Sequence, residues 1–153
     1  MLISHEFTVF IVSTLPIGEL RGSIPLGLEA YHMNVVTTFI LAVIGNMIPV
    51  FFILWWLGPV SSFLRKHSVL MDRFFAWLFA RTRKHGARFD RWGPFALLLF
   101  VAIPVPMTGA WTGALAAFLF GIPFRMAVPI LFLGVVIAGV IVSVTTLGIV
   151  SLF

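Results

Sequence analysis

Two long runs without a charged residue constrain this chain more than any other feature of its sequence. They extend from Asn34 to Leu57 and from Met126 to Phe153. A run of about 24 residues forms an α-helix about 36 Å long, which crosses a hydrocarbon core of about 30 Å with some tilt. We therefore predict an integral membrane protein with two full spans.

The composition excludes several classes of protein. Apolar residues make up 61% of the 153 residues and charged residues 10%, whereas soluble domains have about 45–50% and about 25%. So little charge cannot cover a water-exposed surface, which excludes a soluble enzyme, a disordered chain and a nucleic-acid-binding module. The chain has no Cys, and its four His residues lack metal-ligand spacing, so we predict no metal, no cofactor and no enzymatic activity. The first residues show no basic segment and no cleavage site, so we expect no cleavable signal peptide.

Positive charge is concentrated in one polar segment, residues 65–91, which holds eight of the ten Lys and Arg residues. Such a segment beside membrane spans stays in the cytoplasm. Apolar residues recur at helical spacing from Leu70 to Leu78, which predicts a helix over Ser68 to Lys84. This helix either lies on the membrane surface or packs on the protein's own cytoplasmic face. Its basic end is expected to contact anionic lipid headgroups through Arg81, Arg83, Lys84 and Arg88.

Two further apolar blocks, 7–30 and 93–121, are interrupted by helix-breaking residues. In the first block these are Pro16, Gly18, Gly22 and Pro25, and in the second Pro104, Pro106, Gly109 and Gly113. Each broken block precedes an unbroken span, so the pattern repeats. We predict a single domain, 1–153, with one repeat over about 7–57, a second over about 93–153, and the basic segment between them.

The broken blocks allow two topologies. In the first, each block is a re-entrant helical hairpin that reaches mid-membrane and returns. The turns are predicted at 19–22 and 104–109, the two repeats are inverted relative to each other, and the hairpin tips meet near the midplane. In the second topology all four blocks cross the membrane. We favour the first, because irregular backbone at membrane depth must be buried in protein or line a cavity. The predicted fold class is thus an all-α integral membrane protein with two inverted repeats, each a re-entrant hairpin plus a transmembrane helix, joined by a cytoplasmic interfacial helix.

The first break carries the strongest candidates for chemistry, Glu19 and Arg21. Ionisable groups in membrane segments are costly and usually pair or face a wet cavity. An apolar surrounding disfavours a charged carboxylate, which would let Glu19 load and release a proton. The positive charge of Arg21 beside it would instead favour the charged carboxylate. The alternative is an ion pair that only fixes the hairpin.

The second break is uncharged but offers polar groups to a ligand. We predict that Thr108, Trp111 and Thr112 line the same site, with the alternative that they are packing residues. Helices starting near Gly22 and Thr108 would favour an anion, whereas Glu19 and Trp111 would favour a cation. Asn46, in the middle of the first uncharged run, is expected to hydrogen-bond between helices, with the alternative that it hydrogen-bonds to a substrate. Small residues suggest a subunit contact in a homo-oligomer; these are Gly109, Ala110, Gly113, Ala114 and Ala117.

The motifs Glu19-Leu-Arg-Gly-Ser-Ile-Pro25 and Pro104-Val-Pro-Met-Thr-Gly-Ala-Trp-Thr-Gly113 together resemble the putative small multidrug export protein family of prokaryotes. The resemblance implies a multi-pass protein of the cytoplasmic membrane that exports small toxic compounds. The paired broken blocks are also similar in architecture to DedA-type membrane proteins, which act on lipid carriers.

Three functions therefore stay open at this point. The first is proton-coupled export of small cationic or amphipathic compounds through a site at Glu19. The second is translocation of a lipid phosphate carrier held by Arg21 and helix N-termini. The third is a structural role in which the polar motifs only lock the hairpins.

Overall fold

The computed structural model describes residues 4–83, 86–104 and 109–151. Throughout these residues the secondary structure is helical and no strand occurs, which confirms the all-α prediction. In chain order the elements are α1 (His5–Thr14), α2 (Glu19–Pro25), a π-helical segment (Leu26–Ala30), α3 (Val35–His67), α4 (Val69–Arg83), α5 (Gly86–Ala102), α6 (Ala110–Leu119) and α7 (Phe124–Val150).

The helices α3 and α7 are long and apolar enough to cross a membrane, as the two uncharged runs predict. In the most apolar 18-residue stretch of each helix, only 39% of α3 and 44% of α7 is buried within the protein. They are therefore not the enclosed core helices of a soluble domain. Large apolar side chains on them are exposed, including Trp55 at 69% and Val144 at 65%. An apolar surface of this extent suits contact with lipid rather than water.

The first broken block folds back on itself as a helical hairpin. A Cβ built on Gly22 would contact Val12, and one built on Gly27 would contact Val9, so α1 and the following helical segments run in opposite directions. At the open end of the hairpin the rings of His5 and Tyr31 pack edge to face, with centroids 4.2 Å apart. The helix α1 begins at the N-cap residue Ser4, whose hydroxyl accepts from Phe7 N at 3.3 Å.

The position of the first turn differs from the prediction. The break lies at residues 15–18, and 19–22 belong to α2, so the predicted turn at 19–22 is wrong. Pro16 and Gly18 are in the break, but Gly22 and Pro25 lie inside helical structure. Pro25 cannot donate the backbone bond of a regular α-helix, and the chain continues beyond it in the wider π-helical form instead of turning.

The second break agrees more closely with the prediction. The helix α5 ends at Ala102 and α6 begins at Ala110, so Pro104 and Gly109 lie between the two helices. Pro106 is outside the described residues. Gly113 does not break the chain: it lies inside α6, where a Cβ would overlap Val101 and Leu131. Its role is close packing between helices, which a sequence pattern cannot distinguish from a break.

The two halves of the chain pack in corresponding ways. In the first half α1 packs along α3, and in the second half α5 packs along α7. The short second helix of each half packs on the long helix of the other half, α2 on α7 and α6 on α3. Gly45 of α3 lies against α1, and Gly134 of α7 lies against α5. The inverted and re-entrant arrangement stays a prediction.

The basic segment begins with a helix, as predicted. The helix α4 packs against α3 and touches α6, while its side chains Leu70, Phe74 and Trp77 are exposed. Arg65 Nε and Asp72 Oδ1 form an ion pair at 2.8 Å across the corner between α3 and α4. Contact with anionic lipid stays a prediction, since Lys84 and the side chains of Arg81, Arg83 and Arg88 are outside the described residues.

The predicted subunit contact on α6 is wrong. Its small residues are buried within the chain, Ala110 at 1% exposed and Ala114 and Ala117 at 0%. They form the tight packing surface of α6 against α3 and α7, and so are not available to a second copy. Homo-oligomerisation itself stays a prediction.

We predict that Gly45→Ala destabilises the protein, because a Cβ at this position would overlap Ser13 Oγ and lie 2.7 Å from the backbone oxygen of Phe10. Overpacking of this kind costs about 1–3 kcal/mol. The matched control is Gly58→Ala in the same helix, where nothing lies within 4 Å of the new Cβ, and its stability should be unchanged or higher. Denaturant unfolding in detergent measures both, and equal destabilisation would contradict the α1–α3 packing.

Candidate functional site

Four helix ends meet at the centre of the molecule. Glu19 begins α2, and its carboxylate accepts from the backbone N–H of Trp111 in the first turn of α6, with the N–H of Ala110 close by. The indole Nε1 of Trp111 donates to the backbone oxygen of Thr14, the last residue of α1, at 3.1 Å. Pro104, just beyond the end of α5, lines a common cavity with Glu19. The two broken blocks are therefore joined through their breaks.

The carboxylate of Glu19 takes the place of an N-cap side chain for α6. The N-cap residue is Gly109, which has no side chain, and a Cβ there would overlap the Glu19 carboxylate. Trp111 N lies 3.5 Å from Glu19 Oε1, and Thr112 Oγ1 accepts from Gly109 N at 3.0 Å. A negative charge at this end of a helix is stabilised by free N–H groups and by the helix dipole.

The backbone of Glu19 is itself unusual. Its φ is +42°, in the left-handed region where a residue with a side chain is rare. Residues held in this region cost about 1–3 kcal/mol and persist where the surroundings over-determine them. The contact with α6 is one such constraint, because it fixes the side chain while Gly18 holds the preceding turn close to Val12.

A small cavity lies beside this contact. Its walls include Glu19, Arg21, Asn46, Val135 and Gly109, so α2, α3 and α7 all contribute. The enclosed space suits about one water molecule, which is too little for an organic compound. In this conformation the site is therefore closed to a drug-sized ligand.

Asn46, for which the sequence favoured a hydrogen bond between helices over a contact with a substrate, lines this cavity. It is 1% exposed, and its Oδ1 has no hydrogen-bond partner, so the predicted hydrogen bond between helices is not made by this oxygen. The available signal was a polar amide in the middle of an otherwise apolar run. That signal alone does not show which way the side chain faces.

The other predicted site residues are distributed around the cavity. Arg21 lines it together with Glu19, near enough for their charges to attract. Trp111 instead lines an apolar groove between α3 and α6, beside Phe52 and Trp56. The Thr112 hydroxyl is engaged in the first turn of α6 through Gly109, and Thr108 is outside the described residues.

The predicted anion site at two helix starts is not present in this conformation. The start of α6 is already occupied by Glu19, and α2 begins at Glu19 itself rather than near Gly22. In the part of the chain that the structure describes, no group of three or more His, Asp or Glu residues is arranged to hold a metal ion.

We predict that Gly109→Ala destabilises the protein by about 1–3 kcal/mol, because the new Cβ would displace the Glu19 carboxylate from α6. Residues in contact show coupled effects, so the cost of Gly109→Ala should largely disappear in a Glu19→Ala background. Gly148→Ala, whose Cβ would meet nothing within 4 Å, serves as the control. Thermal unfolding of the four variants of the cycle measures the coupling; a cost that is the same in both backgrounds would exclude the contact.

Comparison with known proteins gives one family. Neither the curated proteins nor the solved structures contain a match, so the architectural similarity to DedA-type proteins stays a prediction. Residues 19–141 match the family described as "Putative small multi-drug export protein", which confirms the resemblance seen in the motifs. This range begins at Glu19 and includes α6 and most of α7. The chain therefore belongs to the putative small multi-drug export protein family and is a membrane protein.

Proposed function

We propose that the chain is a proton-coupled exporter of small cationic or amphipathic compounds, and that Glu19 exchanges a proton for the substrate. One observation carries the proposal: the Glu19 carboxylate of the first half contacts the start of α6 in the second half, at the wall of the central cavity. The family description, a small multi-drug export protein, supports the class of function. It names neither a coupling ion nor a substrate.

The contact supplies a physical route from protonation to movement. Ionised Glu19 is attracted to the N–H groups and dipole of α6, an interaction worth about 0.3–2 kcal/mol. Protonation removes the charge and most of that attraction. The left-handed backbone of Glu19 then favours release, since its strain is no longer offset by the contact. Loading a proton thus weakens the link between the two halves.

The closed cavity requires such a movement. Space for about one water molecule cannot hold an organic cation, so the substrate must bind in a state in which Glu19 has left α6. In that state a carboxylate lies free among apolar walls formed by residues such as Leu20, Val101 and Val135. A positive group pairs with the carboxylate while the apolar part of the compound contacts these walls.

The same geometry suits the re-entrant topology in the prokaryotic cytoplasmic membrane. The helices α1 and α6 have 10 residues each, or about 15 Å, which is half of a hydrocarbon core of about 30 Å. Their inner ends are joined by the bond from Trp111 Nε1 to Thr14 O. This bond gives the last carbonyl of α1 a partner within the protein, which a helix end at membrane depth requires. In this topology residues 65–91 face the cytoplasm.

We predict that Glu19→Gln abolishes proton-driven export while the protein remains folded. The amide keeps the size of the side chain but neither ionises nor releases a proton. The measurement is uptake of a lipophilic cation into proteoliposomes under an imposed proton gradient. Glu6→Gln, which changes an exposed carboxylate in the first turn of α1, should transport like the wild type.

Three results would contradict the proposal. Unchanged transport by Glu19→Gln would remove Glu19 from the mechanism. Loss of folded protein on size exclusion, without a change in transport per folded molecule, would indicate a structural role. Thermal stabilisation of the wild type by a polyprenyl phosphate, lost in Arg21→Ala and absent with the lipophilic cation, would support a lipid-phosphate translocase.

A further inference from the structure

We propose that the central cavity binds one water molecule, held by Asn46 Oδ1 and the Glu19 carboxylate, and that this water carries the proton to and from Glu19. The water site stands on the structure alone. Its role in proton transfer rests on the proposed function.

The first support is an unsatisfied acceptor. A buried carbonyl oxygen without a donor costs about 1–3 kcal/mol, and buried polar groups are bonded to protein or to ordered water in the great majority of cases. In the described part of the chain, four buried side-chain oxygens lack a partner: those of Ser23, Thr38, Asn46 and Ser143. Asn46 is the member of this set that lines the Glu19 cavity.

The second support is the size and polarity of the space. The cavity has room for about one water molecule, and a bound water needs two to four polar partners. Asn46 Oδ1 and the Glu19 carboxylate supply acceptors for the two O–H groups of the water. The occupant must offer either a hydrogen-bond donor or a positive charge, because Oδ1 can only accept.

The third support is the charge balance, which favours water over a metal cation. Among the described residues that line the cavity, Glu19 and Arg21 carry charge, and their charges cancel. A sodium ion would add a positive charge beside the Arg21 guanidinium with no further carboxylate to neutralise it, which is unfavourable at low dielectric. A neutral water meets no such repulsion.

The position of this water suits proton transfer. It would contact the Glu19 carboxylate directly, so a proton can reach the carboxylate before the contact with α6 breaks. The water accepts a proton on its oxygen and passes another from an O–H group to Glu19, which leaves the water unchanged. Asn46 is then a positioning residue: it orients the water and does not itself exchange the proton.

A crystal structure at a resolution that shows ordered water tests the site directly. We expect density within hydrogen-bonding distance of both Asn46 Oδ1 and the Glu19 carboxylate in the wild type, and no anomalous signal there after soaking in rubidium chloride. An empty cavity would overturn the proposal. An anomalous peak would also overturn it, in favour of a monovalent cation site.

Two variants test the role of Asn46. Asn46→Leu removes the acceptor and should lose the density, whereas Thr38→Val, which removes another buried unpaired oxygen of α3, should keep it. Density that persists in Asn46→Leu would overturn the assignment. If Asn46→Leu does not fold, Asn46→Asp keeps an oxygen acceptor and should keep the water, and its loss there would count against the proposal.

The transport assay distinguishes a failure of the proton-carrying role of the water from a failure of the exporter hypothesis. In proteoliposomes, Asn46→Leu should shift the pH midpoint of export, and Thr38→Val should leave it unchanged. An equal shift in both variants would indicate a packing effect and overturn the proton-carrying role. No export by the wild type would contradict the proposed function, while the crystallographic result on the water would stand.

Discussion

The contact between the Glu19 carboxylate and the start of α6 is the interaction on which the arrangement of the two halves depends. A helix that begins inside an apolar protein leaves backbone N–H groups that water cannot reach, and they require a partner. Gly109 offers no side chain, so the partner comes from a residue separated from Trp111 by 92 positions. The bond from Trp111 Nε1 to Thr14 O satisfies the corresponding free carbonyl at the end of α1.

Close helix packing makes this contact possible. Each short helix reaches the long helix of the other half, α2 on α7 and α6 on α3, and the buried surface of α6 consists of Ala and Gly. At Gly45 and Gly134 a Cβ would collide with Ser13 and Val101, respectively. Small residues at helix contacts are typical of membrane proteins, because lipid supplies no hydrophobic drive and close approach increases dispersion contacts.

The interior and the outer surface of the molecule have opposite characters. The outer faces of α3 and α7 expose large apolar side chains such as Trp55 and Val144, whereas the polar groups meet at the centre beside a water-sized cavity. In the proposed exporter, a compound reaches this centre only if the two halves move relative to each other. The strained backbone of Glu19 and its charge-dependent contact with α6 lie between the two halves, where such a movement would begin.

Hydropathy over some twenty residues and clusters of Pro and Gly act locally, so the class of protein, the two long helices and the second break follow from the sequence. The sequence also marked Glu19 and Arg21 as candidate site residues, since charge is rare in apolar blocks. It placed the first turn too late and misassigned Gly22, Pro25 and Gly113, because Pro and Gly serve helix packing as readily as chain breaks. That Glu19 caps α6 and that Asn46 lines the same cavity follows only from the packing of the helices. Both facts depend on which helices become neighbours. The sequence of a single chain does not show which residues of separate helices lie close together.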